Sequence, residues 1–536
     1  LVRARRRRAI AALAVVAAED VTRRAPPACD TTSMKKRCAY LLPIAAIICT
    51  SGAMAQTVVT RAGDVRGVTS AVITSFKGIP YAAPPVGALR WKPPQPPLPW
   101  QDVRAADKTG PACMQPRDDL DSRVAVSEDC LYLNVWRSAA AQPGSKLPVM
   151  VYIHGGGFVG GTASDASRDG TNLARNGVIV VTLNYRLGRF GWFAYPELTA
   201  EAAGGATGNF GLMDQVAALH WVRDNIAAFG GDPARVTIFG ESAGGISVNA
   251  LMSVPAARGL FRAAITQSGL GRNSAAPLQA AEKMGAAFAK AAGASDLAAL
   301  RNLPAETMLN TADDDLKAQP PGLILDGKLM QANIEQVFAK GAQAEVPWIV
   351  GSNNYEASLY ADRVANPDAT LAALPENVRS RAFALYDPLK TGSKGAVLAL
   401  LLTDKNFTEP ARFLARLHVR SGAPVYRYFF SYVPEKARGR VPGAAHGDEL
   451  NYVFGQFNPD PKLKIKFTDA DKRMAALVEG YWTNFARASD PNGWGLPPWP
   501  RDKRDDVLVL DWPGAHPARG FRKRELDFVA HDVPKL

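Results

Sequence analysis

A β-branched run, Val236-Thr237-Ile238-Phe239, leads directly into Gly240-Glu241-Ser242-Ala243-Gly244, and an apolar helical pattern over 243–252 follows without a linker. A strand that becomes a helix so abruptly must turn sharply, and side chains flanking the turn would collide with the neighbouring strand or helix. Glycines at 240 and 244 remove that conflict, and the serine between them is forced outward above the helix N-terminus. Partial positive charge there favours an anion. The competing reading of these residues is a Gly-rich turn with an N-capping serine. The first reading is that of a nucleophile elbow, and an elbow needs a parallel sheet to stand on.

The rest of the chain supplies that pattern. Apolar, β-rich runs at 149–153, 178–183, 236–239, 263–266, 348–350 and 425–428 predict strands. Helical spacing at 214–228, 243–252, 411–419 and 471–488 lies among them. Strands separated by helices predict an α/β fold with a large, mostly parallel sheet covered on both faces. The proline-rich segment 92–100 reads as extended surface chain, and no repeat or long Ser/Gly linker divides residues 56–536, so one domain is expected there.

A serine nucleophile requires a base, an orienting carboxylate and donors for the oxyanion that forms when a carbonyl is attacked. His154-Gly155-Gly156-Gly157-Phe158 follows the strand at 149–153. Backbone N–H groups of Gly156 and Gly157, free of side chains, are the expected oxyanion donors, with Ala243 N–H as a third. Gly155-x-Gly157-x-x-Gly160 also fits a dinucleotide-binding fingerprint, but Thr162-Ala163-Ser164-Asp165 does not open the amphipathic helix such a site needs. His154 reads as a wall of the site. Beyond Ser242 lie His418, His446, His516 and His531. His418 falls inside a helical pattern, and the last two follow the last clear elements. His446, in the turn-rich Gly443-Ala444-Ala445-His446-Gly447-Asp448-Glu449, is the candidate base. Glu356, in the loop after the strand at 348–350, is the candidate acid, since open α/β sheets place function at the C-terminal ends of their strands.

Charge and cysteine bear on compartment. The chain has 536 residues, 63 Lys+Arg and 50 Asp+Glu, a formal +13. Lys35-Lys36-Arg37, the apolar run 38–49 and Ala53-Met54-Ala55 have the form of a secretory signal peptide over 34–55. Residues 1–33 precede it, and we read them as upstream sequence outside the true start at Met34. Residues 1–55 hold 10 of the basic and 3 of the acidic side chains. The remaining 481 residues carry 53 basic and 47 acidic groups, a mild +6. That balance, without a zinc-finger, RRM or helix-turn-helix pattern, argues against a nucleic-acid partner. No apolar run is long and uncharged enough to span a membrane. Beyond residue 55 only Cys113 and Cys130 remain; in an exported protein such a pair forms either one disulfide, worth about 3 kcal/mol, or two buried thiols. No CxxC or HExxH is present, so neither a metal nor another cofactor is expected.

The sequence resembles the type-B carboxylesterases, the cholinesterase-like α/β-hydrolases, from about Phe76 to Asn492. The likeness is carried by Phe76-Lys77-Gly78-Ile79-Pro80-Tyr81, Ser127-Glu128-Asp129-Cys130-Leu131-Tyr132-Leu133-Asn134-Val135, the Gly-rich loop and the elbow. It continues through Asn184-Tyr185-Arg186-Leu187-Gly188, Gly208-Asn209-Phe210-Gly211-Leu212-Met213-Asp214-Gln215, Gly230-Gly231-Asp232-Pro233 and Tyr481-Trp482-Thr483-Asn484-Phe485-Ala486. The resemblance implies an α/β-hydrolase fold, a Ser242–Glu356–His446 triad, a Cys113–Cys130 disulfide, and ion pairs Arg90–Glu128 and Arg186–Asp214. Glu241 and Glu449 match carboxylates near the family's active site. Cholinesterases carry a choline-binding Trp between the first two cysteines; 114–129 contains no aromatic residue, which argues against a choline ester. Adhesion members of this fold lack the serine, which is present here.

The expected protein is a secreted or periplasmic serine carboxylesterase acting on small or medium esters, as monomer or homodimer, with Phe158 and Leu270 in its substrate pocket. A lipase, or a binding module on the same scaffold, are the alternatives. N-terminal sequencing of the native, exported protein is expected to begin at Gln56; any native peptide containing residues before Met34 would contradict the start assigned here.

Overall fold

The computed structural model describes residues 55–117, 120–269, 275–311, 322–457 and 465–534. The predicted leader up to Met54, the segment before it and Leu270 lie outside these residues.

One sheet organises the molecule. Its N-terminal strands are β1 (Ala55–Thr60), β2 (Gly63–Ser70), β3 (Ile73–Pro80) and β4 (Tyr132–Ser138). Then come β5 (Leu147–Ile153), β6 (Ile179–Leu183), β7 (Gly231–Glu241), β8 (Ala263–Gln267), β9 (Trp348–Asn353), β10 (Val425–Phe430), β11 (Val507–Leu510) and β12 (Ala515–Ala518). The spatial order is β1-β2-β3-β4-β6-β5-β7-β8-β9-β10-β11-β12. From β6 to β11 every neighbouring pair is parallel; the pairs at both ends are antiparallel. This is the expected α/β architecture, and the central strands match the predicted ones within a few residues. The N-terminal antiparallel strands were not predicted. Exposed residues alternate with buried ones in β2, and the polar Asn134 and Arg137 interrupt the mostly buried β4, so these strands lack the continuous apolar signal of the centre.

The alternation of side chains along each central strand splits the core. Val149, Val151 and Ile153 of β5 pack in one cluster with α1 (Phe210–Asn225) and α2 (Ala243–Ser253). Met150 and Tyr152 point the other way, to a cluster containing Met474, Val478, Tyr481, Trp482 and Phe485. Those five lie on one face of α5 (Asp469–Ala488), whose N-terminus is closed by a Thr468–Asp471 capping box. Two further helices matter for the site: α3 (Lys394–Thr403) and α4 (Glu409–Val419), joined by a π-helical turn over Asp404–Thr408.

Cys113 and Cys130 form a disulfide. Gln115, just inside that loop, exchanges two 2.8 Å hydrogen bonds with the backbone of Gly161, tying the disulfide loop to the end of the Gly-rich loop. Both implied ion pairs are present: Arg90–Glu128 at 2.5 Å and Arg186–Asp214 at 2.7 Å. Asp214 is fully buried and accepts from the Arg186 backbone N–H, Nε and Nη2, which holds the 184–188 turn to α1. Removing the carboxylate strands a buried guanidinium. Asp214→Ala is therefore expected to lower unfolding free energy by about 3–5 kcal/mol, read from urea denaturation; a loss below about 1 kcal/mol would contradict this.

Candidate active site

Ser242 sits between β7 and α2 with φ +56° and ψ −122°, a backbone conformation that side-chain-bearing residues rarely adopt. The surroundings leave no alternative. A Cβ at Gly244 would lie 2.0 Å from the Ile153 carbonyl oxygen, and one at Gly240 2.5 Å from that of Gly244. The Ser242 N–H donates to the Gln267 carbonyl at 2.9 Å, which pins the turn to the end of β8.

The acid and base loops leave adjacent strands and are stitched together. Tyr355 N–H donates to Ala444 O at 3.0 Å, and Ala444 N–H to Asn354 Oδ1 at 2.7 Å. His446 Nδ1 lies 2.5 Å from Glu356 Oε2. Glu356 is fully buried, and its other oxygen accepts from Ser268 Oγ at 2.5 Å and from Asn353 N–H at 2.7 Å. The His446 backbone N–H donates to Ser358 Oγ at 2.9 Å. Phe407, buried in the π-helical turn, packs its ring 5.3 Å from the imidazole. The same turn is anchored by Asp404, which accepts from Tyr386 Oη at 2.8 Å and Arg522 Nη2 at 2.6 Å.

His446 Nε2 faces Glu241 Oε1 at 3.0 Å, but the approach is not aligned as a hydrogen bond and leaves both atoms without a partner. Ser242, Glu241 and His446 line one cavity together, with the buried Nε2 left without a hydrogen bond. Glu449 stands behind, accepting from Gln267 Nε2 at 2.9 Å and Asn353 Nδ2 at 2.6 Å. Burial disfavours charge on His446, yet Glu241, Glu356 and Glu449 outweigh it and raise its pKa to about 9. Burial, reinforced by the neighbouring carboxylates, raises Glu241 and Glu449 as well. Glu241 and His446 are therefore coupled: protonation of Glu241 removes the attraction that holds a proton on the imidazole.

The Gly-rich loop crosses the same cavity, which measures about 1850 Å³. Gly156 and Gly157 have φ +101° and +62°, a conformation that suits glycine. Their N–H groups and that of Ala243, at the start of α2, find no acceptor in the turns and loops among the described residues. Phe158 lines the cavity and packs on Trp192 at 4.6 Å. His154 is buried and stacked on Tyr185 at 4.4 Å, with Nδ1 on the Gly155 carbonyl; burial lowers its pKa to about 4 and keeps it neutral. It is a wall, as the sequence suggested. His418 is buried in α4 between Val346 O and Gln343. Among the described residues no group of three His, Cys, Asp or Glu is arranged to hold a metal ion. Sequence reasoning missed Ser268, Ser358 and Phe407. Ser268 directly follows β8, and that position at a strand's C-terminal end was its one available signal.

Comparison with known proteins follows the same lines. A model of the Carboxylesterase family matches residues 54–529. The chain is 38% identical over 474 residues to fumonisin B1 esterase of Sphingopyxis macrogoltabida, covering 84% of this chain and 85% of that one. It is 38% identical over 477 residues to para-nitrobenzyl esterase of Bacillus subtilis (strain 168), covering 85% and 95%. A solved structure of a PNB esterase superimposes with TM-score 0.77 at 36% identity, covering 90% of this chain and all of the other (100%).

The site predicts an imidazole whose charge is set by Glu241. NMR titration of His446 should give a midpoint well above an ordinary histidine, toward about 9. In Glu241→Gln one anion that favours the cation is gone, so the midpoint should move to lower pH. An unchanged midpoint would show that Glu241 does not act on this ring.

Proposed function

The chain belongs to the carboxylesterase family, and we propose that this carboxylesterase hydrolyses small or medium carboxylic esters through Ser242, His446 and Glu356 by way of an acyl-enzyme. The observation that carries the reading is the His446–Glu356 contact beside a strained serine. The acid fixes the Nδ1 proton and leaves Nε2 without a hydrogen-bond partner, on a ring that lines the same cavity as Ser242.

His446 Nε2 takes the Ser242 Oγ proton as Oγ bonds to the ester carbonyl carbon. The oxyanion is received by the N–H groups of Gly156, Gly157 and Ala243, each such donor being worth about 10²–10³ in rate. As the tetrahedral intermediate collapses, the carbon–alkoxide bond breaks and His446 passes its proton to the departing alcohol. Water then attacks the acyl carbon with His446 as base, and the carboxylic acid leaves Ser242 regenerated. The buried carboxylates around the ring favour the imidazolium that forms in each half-reaction. For the resting enzyme to act as a base the ring must be neutral, a state favoured when Glu241 is protonated.

Export fits the same picture. The signal peptide read over 34–55 and the Cys113–Cys130 disulfide both suit an oxidising compartment. Among the described residues no helix is long and apolar enough to cross a membrane.

Ser242→Ala should reduce hydrolysis of a p-nitrophenyl ester by about 10⁶-fold, the scale on which loss of a serine nucleophile acts. Its circular dichroism and melting should stay near wild type. An organophosphonate should label wild type once per chain, at Ser242. Substantial turnover by Ser242→Ala, or labelling elsewhere, would overturn the mechanism; an unlabelled, inactive wild type would point to a binding module.

A further inference from the structure

The segment from Asp165 to Asp169 follows the Gly-rich loop and lines the cavity that holds Ser242 and His446. Most charges in this part of the lining are already engaged. Asp165 caps the single 3₁₀ turn Ala166–Arg168, accepting from the Ser167 N–H at 2.8 Å and Ser167 Oγ at 2.7 Å. Asp169 accepts from Thr171 N–H at 2.9 Å and pairs with Lys77 at 3.5 Å. The Lys77 ammonium also lies 5.7 Å from the Trp136 ring centroid. Arg123 is closed in a fork with Asp121.

Two cations of the lining, the exposed Lys108 and Arg168, form no ion pair among the described residues, and Arg168 is the half-buried one. Among the described residues it forms no ion pair, and its hydrogen bonding is a 3.3 Å contact from Nη1 to the carbonyl of the adjacent Ser167. Nε and Nη2, one edge of the guanidinium fork, remain unused by those residues. The charge is nevertheless felt at the base of the site. Burial raises the Tyr152 phenol and the Glu241 carboxyl, and Arg168 pulls both back.

A guanidinium with an open edge fits a carboxylate with two parallel N–H···O bonds, a geometry that an uncharged ester cannot offer. We propose that Arg168 recognises a carboxylate carried by the substrate, so that esters with a free carboxylate on the acyl or the alcohol side are the preferred class. This rests on the hydrolytic reading of the Ser242 cavity and assigns Arg168 a place in specificity rather than in the chemical steps.

Two matched pairs of esters test it. On the acyl side, p-nitrophenyl hydrogen adipate and p-nitrophenyl hexanoate differ by a terminal carboxylate in place of a methyl group. On the alcohol side, p-acetoxybenzoate and phenyl acetate differ by the ring carboxylate. In Arg168→Gln the anionic-to-neutral ratio of kcat/KM should fall about tenfold or more in at least one pair, mainly through KM, the size of a charge-assisted hydrogen bond. The pair affected identifies the side on which the carboxylate is held. Arg168→Lys, which keeps the charge and loses the fork, should give an intermediate ratio. Unchanged ratios in both pairs would overturn the proposal. So would an equal loss on both members of each pair, which marks a structural role. Failure of wild type to hydrolyse any of the four esters is seen before any variant is made, and it would refute the hydrolytic reading and this inference with it.

Discussion

The backbone of Ser242 is the constraint around which the rest is arranged. A residue with a side chain at φ +56° costs of order 1–3 kcal/mol and persists only where its neighbours forbid relaxation. Here they do. The Ile153 carbonyl crowds Gly244, the Gly244 carbonyl crowds Gly240, and the Ser242 amide is tied to Gln267 at the end of the next strand. Any larger residue at 244 would push α2 off β5. The sheet core, buried on both faces, thus holds one serine in a conformation that an isolated strand–helix turn would not keep.

The second demand is electrostatic. Glu241, Glu356 and Glu449 are all buried beside one imidazole. Burying carboxylates is expensive unless each is hydrogen-bonded or paired. Glu356 meets that requirement through Ser268, Asn353 and His446; Glu449 meets it through Gln267 and Asn353. Glu241 Oε1 does not, and its raised pKa follows. Two of the carboxylates are thus fully hydrogen-bonded, while the third faces the imidazole without a hydrogen bond. The π-helical turn adds an apolar boundary, because its wider turn carries Phe407 against the ring while Asp404 anchors the turn from behind.

Much of this was legible because chemistry and backbone geometry were written in adjacent residues. The elbow needed glycines beside the serine, the Gly-rich loop needed residues able to take positive φ, and the central strands showed uninterrupted apolar runs. The two cysteines beyond residue 55 became a disulfide. Other features had no local signature. Ser268 is a loop serine like many others until it donates to Glu356, 88 positions away. Phe407 reads as an ordinary apolar position in a helical stretch. The N-terminal strands escaped notice because polar residues such as Arg66, Lys77, Asn134 and Arg137 interrupt their apolar runs.

The sequence by itself determined which residues were capable of the chemistry: a serine in a turn that only glycines permit, a histidine in a turn-rich loop, a carboxylate at a strand end, and the resemblance that joined them. Only the tertiary structure decided which partner each one meets. Glu241 is next to Ser242 in the chain yet faces His446 Nε2, while Glu356, 90 residues before His446, takes Nδ1. Arg168 is left with an open edge because Lys77, rather than Arg168, takes Asp169. Such pairings are set by strand order and loop packing, which bring together side chains distant in sequence, and no local pattern of residues encodes them.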